Sequence, residues 1–145
     1  MEETVIQEQF MKGYDCSQVV LSHFAGRLGI SADQANKTAA CFGGGMMQAD
    51  ACGAFTGALM AIGLKYGHYD AENLMAQKGV MMAKCAEFKE KFAANHPSCN
   101  CLDIIGYNVT TPEGFQRAID SGDMMTICPK LVSEVIAILD EIIGE

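Results

Sequence analysis

Apolar residues recur at three- and four-residue steps along nearly the whole chain, a spacing that predicts helices. Val19, Val20, Phe24 and Leu28 follow it after Cys16, and Gly29 closes the segment. Ser31 is placed to cap a second helix, which runs through Ala35 and Ala39 towards Phe42 until Gly43-Gly44-Gly45 breaks it. A third follows Asp50 and reaches Tyr66, ending at Gly67. A fourth starts after Asp70 and carries Leu74, Met81, Cys85, Phe88 and Phe92 on one face. Pro97 ends it, because proline pushes its predecessor out of the helical region. Short helices from Cys101 to Ile105 and from Glu113 to Asp120 fill the next connection. The last helix opens at Pro129, with an apolar face running from Leu131 to Ile143 and Glu134, Asp140 and Glu141 on the wet side. No segment alternates with period two, and no Asn-Gly hairpin signal occurs. The expected fold is all-α: a single-domain helical bundle over 1–145, with about five main helices and short connecting ones.

Within the third helix Gly53, Gly57 and Ala61 stack on one side as a smooth groove, with Gly63 nearby. Each Gly inside a helix costs about 1 kcal/mol relative to Ala. Close packing of another helix accounts for such a face. A cofactor lying against Gly53 and Gly57 is the functional alternative, and the two are compatible.

Composition narrows the function. Half of the 145 residues are apolar, and 18 acidic against 10 basic residues give a net charge of -8. An acidic chain repels phosphate backbones and anionic lipid, which argues against nucleic acid as a partner. The uncharged apolar stretch from Ala51 to Leu64 falls short of the ~20 residues of a spanning helix, so no membrane insertion is expected. The acidic start Met1-Glu2-Glu3-Thr4 lacks the basic and apolar regions of a signal peptide, which implies a cytoplasmic location. There, seven Cys favour metal binding or redox work over a disulfide framework. The ten Met read as gap fillers of the core, with copper(I) coordination as the functional alternative.

Four of the cysteines fall where helices are predicted to begin. Asp15 caps the helix of Cys16, with Gln18 as capping-box partner. Asp50 places Cys52 in a first turn, Asn100 places Cys101 in another, and Cys128 precedes Pro129 as the cap itself. Free N–H groups and the positive end of the helix dipole favour a thiolate at such positions. Gathered at one end of a bundle, four such thiolates make one site. Cys85 and Cys41 read as core packing, and Cys99 as a spare ligand or a resolving thiol for Cys101. His23, His68 and His96 are not spaced as a metal pair. The Gly43-Gly44-Gly45 loop could cradle a phosphate, but it lacks the Lys and Ser/Thr of a P-loop.

The segment Gly13-Tyr14-Asp15-Cys16-Ser17-Gln18, the run Phe42-Gly43-Gly44-Gly45-Met46, the motif Cys52-Gly53-Ala54-Phe55-Thr56-Gly57, then Cys101 and Cys128-Pro129-Lys130-Leu131, resemble in order the C_GCAxxG_C_C family. Its members are small bacterial and archaeal proteins described as redox-active. In this chain the central motif has Cys before the first Gly, transposed from the family label. The resemblance puts the family's four hallmark cysteines on Cys16, Cys52, Cys101 and Cys128.

The expectation is a redox protein, an electron carrier or oxidoreductase component. Those four cysteines would hold an iron–sulfur cluster or another metal–thiolate centre. A metal-free thiol–disulfide protein using the same four as redox thiols, and a structural four-cysteine zinc site in an interaction protein, are the alternatives. The redox readings imply a redox partner protein, and a homodimer is compatible with all three.

Overall fold

The computed structural model describes residues 1–144. Eight α-helices follow one another: α1 Glu3–Met11, α2 Cys16–Phe24, α3 Ala32–Ala39, α4 Gly53–Tyr66, α5 Leu74–Ala93, α6 Cys101–Ile105, α7 Pro112–Asp120 and α8 Asp123–Ile143. Among the described residues there is no strand, so the fold is all-α. One backbone bridge, antiparallel between Ala51 and Asn100, joins two loops.

Helices α2, α4 and α8 carry most of the core. Val19, Val20, Leu21 and Phe24 of α2 pack with Ala54, Ala58, Ala61 and Ile62 of α4 and with Val132, Val135, Ile136 and Leu139 of α8. Burial of these side chains at ~25 cal/mol per Å2 is the main force holding the bundle. The Gly53/Gly57 face is what lets α2 and α4 approach. A Cβ on Gly57 would stand 2.9 Å from the Ser17 carbonyl oxygen, and one on Gly53 2.9 Å from the Ser17 nitrogen. The groove is therefore filled by the α2 backbone, and close packing explains both glycines without a cofactor against them.

Local chemistry sets the helix ends as the sequence suggests, with four exceptions. Ser31 caps α3, its Oγ accepting the Gln34 N–H at 3.0 Å while Gln34 Oε1 accepts the Ser31 N–H. The sequence pattern did not announce α1, which buries Ile6 alone and packs on α8. The α5 helix begins at Leu74 behind Asn73, and only its second half is buried, through Phe88 and Phe92. Leu74, Met75, Val80 and Met82 are exposed. Cys41 is exposed too, in the 3-10 turn Ala40–Phe42, and so is no core residue.

The fourth exception concerns α8. It begins at Asp123, behind Gly122 at φ +80°, and continues through Pro129. Cys128 is thus inside the helix and is not its N-cap. Proline at position 129 supplies no N–H to the carbonyl four residues back, that of Met125. Gln7 of α1 replaces the missing donor, its Nε2 donating to the Met125 carbonyl at 2.8 Å. A partner on another helix thus satisfies what proline leaves open, which a reading of local signals could not anticipate.

Candidate functional site

Each of the four cysteines has its own support. Cys16 is the first residue of α2, where Gln18 Oε1 accepts the Asp15 N–H at 3.0 Å and fixes the turn. Cys52 stands at the N-cap of α4 itself, so the helix begins two places later than a cap at Asp50 implied, and Cys52 is not in its first turn. The N–H groups of Ala54 and Phe55 favour its thiolate, although its side chain closes no capping hydrogen bond. Cys101 opens α6 behind Asn100. Ser98 steadies that turn, its Oγ accepting the Asn100 N–H at 3.1 Å and donating to Asp103 at 2.7 Å.

The Ala51–Asn100 bridge ties two of these positions together. Cys52 N–H donates to the Cys99 carbonyl, and Cys101 N–H donates to the Asp50 carbonyl, both at 2.7 Å. Cys99 thereby contributes its backbone, and its side chain packs against the core.

The four cysteines, on α2, α6 and α8 and at the N-cap of α4, lie near enough that Cys52, Cys101 and Cys128 all act on the charge of Cys16. The thiol of Cys16 interacts directly with Cys128, which raises the Cys16 pKa well above the thiol value and lowers that of Cys128. Cys52 and Cys101 add charge repulsion to Cys16. Burial is the larger force on Cys52, pushing it up to about 12 against the help of its two N–H groups, and on Cys101, pushing it up to about 11. Water-poor surroundings disfavour the charged form, and neighbouring thiolates disfavour one another. Cys128 is the one of the four whose environment favours the thiolate. Among the described residues, no three His, Cys, Asp or Glu side chains are set to hold a single metal ion.

A cavity of about 510 Å3 opens onto the site, lined by Cys16, Cys101 and Cys128. Asp15 is on its wall, its carboxyl pKa raised by burial. Another part of the wall is an unusual turn. Gly44, Gly45, Met46 and Met47 all take left-handed conformations, with φ 60°, 66°, 59° and 57°. Asp50 N–H closes it on the Gly45 carbonyl at 2.8 Å. A left-handed turn costs each residue with a Cβ about 1–2 kcal/mol, so Met46 and Met47 hold strain next to the thiols. Gly45 is required here, since a Cβ on it would lie 2.9 Å from Cys101 Cβ. A Cβ on Gly43 would overlap the Asp15 carboxyl, so the glycine triplet meets an acid where a phosphate cradle needs open space.

The family model described as "Putative redox-active protein (C_GCAxxG_C_C)" matches residues 14–142, which is nearly the whole chain. The chain belongs to the C_GCAxxG_C_C family. No curated protein and no solved structure matches it. The C_GCAxxG_C_C motif residues are those the fold draws to one end of α2, α4 and α6 and to the second turn of α8.

The histidines lie elsewhere. His96 Nε2 is 2.7 Å from Glu134 Oε2 in a separate groove, and His23 packs edge-on against Phe24. Sequence reasoning missed the cavity wall contributed by α1 and α7 and the left-handed turn. The Gly triplet was the available signal for that turn, but the two Met that follow it give no hint of φ near +60°.

Proposed function

We propose that this chain is a redox protein whose working centre is Cys16, Cys52, Cys101 and Cys128 together, acting as an electron carrier with an iron–sulfur cluster between their sulfurs. The supporting observation is the convergence of four thiols that repel one another when ionised. Burial and mutual repulsion hold Cys52 and Cys101 as neutral thiols up to about 12 and 11. Four neighbouring thiolates, one buried and three half-buried, need positive charge to replace their protons, and iron supplies it. The donor set is all soft sulfur, the adjoining cavity leaves room, and the Ala54 and Phe55 N–H groups support one ligand sulfur. Among the described residues no three ligand side chains are placed as a metal site, so a cluster and a zinc ion alike would have to draw these sulfurs closer on binding.

When bound, such a cluster supplies one-electron transfer. The chain holds the four sulfurs, directs N–H groups at Cys52, and leaves Cys16, Cys101 and Cys128 facing the cavity through which a redox partner protein would exchange electrons. The direct Cys16–Cys128 interaction favours a second reading, a metal-free thiol–disulfide couple in which Cys128 attacks and Cys16 resolves.

Anaerobic purification with iron and sulfide analysis separates the two. The cluster reading expects brown protein with stoichiometric iron and sulfide. Changing any one of Cys16, Cys52, Cys101 or Cys128 to Ser should abolish that visible absorption, whereas Cys41→Ala and Cys85→Ala should keep it. Colourless protein after anaerobic reconstitution overturns it. A reversible two-electron titration that forms a Cys16–Cys128 disulfide would then establish the second.

A further inference from the structure

The cavity has a chemistry of its own beyond the sulfurs at its inner end. Its walls are Phe10, Tyr14, Ile105, Val109, Phe115 and Met124, drawn from α1, α6, α7, α8 and the loops between them. Its volume of about 510 Å3 lies within the roughly 300–1,000 Å3 of pockets that take small organic molecules. The rim stays apolar where it meets water, with Met47 68%, Phe115 47% and Ile119 39% exposed. Contiguous exposed apolar surface around a concavity marks a place where something apolar binds.

Charge selects among candidates. Among the described residues, no Lys, Arg or His lines the cavity, Asp15 is its one acid, and the chain as a whole carries -8. An anionic ligand would lose its hydration with no cation to receive it. Nucleotides, phosphate-bearing cofactors and acidic thiols are poor occupants for that reason.

We propose that this cavity is the binding site of an uncharged, mainly apolar organic molecule, about the size of two fused or linked rings, held against the sulfurs of Cys16, Cys101 and Cys128. The ligand class follows from the cavity; that the ligand serves redox chemistry rests on the proposed function.

A matched pair of dyes tests it on the reduced, full-length protein. N-phenyl-1-naphthylamine is uncharged, and 8-anilinonaphthalene-1-sulfonate is the same skeleton with one sulfonate. The uncharged dye should bind saturably at one site, and the sulfonate about tenfold or more weakly, since one buried unpaired charge costs at least that factor. Phe115→Asp and Ile119→Asp, both at exposed rim positions, should weaken the uncharged dye while leaving the thermal melt in place. Met82→Asp, on the exposed face of α5, should change nothing. In the unaltered protein, reduced and stripped of any metal so that the thiols are free, the bound dye should slow alkylation of Cys101 and Cys128 by iodoacetamide.

Equal binding of the two dyes, or binding indifferent to the rim variants, overturns the inference, as does alkylation that proceeds unchanged. The two proposals fail separately. Redox-competent protein that ignores the uncharged dye sinks the cavity site alone, and colourless, redox-silent protein that binds it sinks the redox reading alone.

Discussion

Met47 adopts φ 57° without being glycine, and 68% of it faces water. Little packing is lost by removing its side chain, so backbone strain dominates the outcome. Met47→Gly should raise stability by about 0.5–1 kcal/mol, the relieved left-handed strain less the extra freedom glycine gives the unfolded chain. A higher urea midpoint at unchanged slope is the expected result, and a lower midpoint would mean that the methionine side chain holds the turn. Gly57 is the reverse case. A Cβ there would stand 2.9 Å from the Ser17 carbonyl oxygen and 3.2 Å from Ser17 Cα. Backbone cannot swing aside as a side chain can, so Gly57→Ala should cost about 1–3 kcal/mol in a denaturant titration. The stacked spacing of Gly53 and Gly57 made that close approach legible in the sequence. The strain at Met46 and Met47 was not, because any residue type is silent about a left-handed φ that tertiary contacts impose.

Of the helix starts at Cys16, Cys52 and Cys101, the first and third were legible at the scale of elements because each follows from local hydrogen bonding, whereas α4 begins two places later than Asp50 implied. Asp15 with Gln18 marks the first, and the turn from Ser98 to Asp103 marks the third. The start of α8 was not legible, because proline is favoured in a first turn and disfavoured inside a helix. Pro129 sits inside because Gln7, more than a hundred residues away, takes over the Met125 carbonyl. Gln7→Ala should therefore cost about 1 kcal/mol by orphaning that carbonyl. In a Pro129→Ala background the new N–H can bond Met125 within the helix, and the same Gln7→Ala change should cost close to nothing. The double-mutant cycle reads this coupling directly. Additive losses would show that Gln7 stabilises α1 against α8 by packing rather than by serving the proline gap.

For the molecule as a whole, gathering four thiols ties stability to pH. In the reduced, metal-free chain, folded Cys52 keeps its proton up to about 12, while an unfolded cysteine loses its proton near the ordinary thiol value of 9.0. Below pH 9 both states are protonated and the full contribution is present. Above it the unfolded state binds fewer protons than the folded one, so stability falls as pH rises towards 12, by about 1.4 kcal/mol per pH unit for one fully buried thiol. Cys101, raised to about 11 and partly open to water, adds less in the same direction. The lowered pKa of Cys128 works the other way, against the raised one of its partner Cys16. Cys52→Ser has no thiol to ionise and should lose less stability than the parent between about pH 9 and pH 10.5, by on the order of 1–2 kcal/mol in paired urea titrations under reductant. Protein loaded with a cluster should show none of this difference before the metal leaves, because its ligands are already deprotonated. Equal alkaline losses in the parent and in Cys52→Ser would mean that the folded chain ionises Cys52 as readily as the unfolded one, and that the N–H groups of Ala54 and Phe55 outweigh burial at the N-cap of α4.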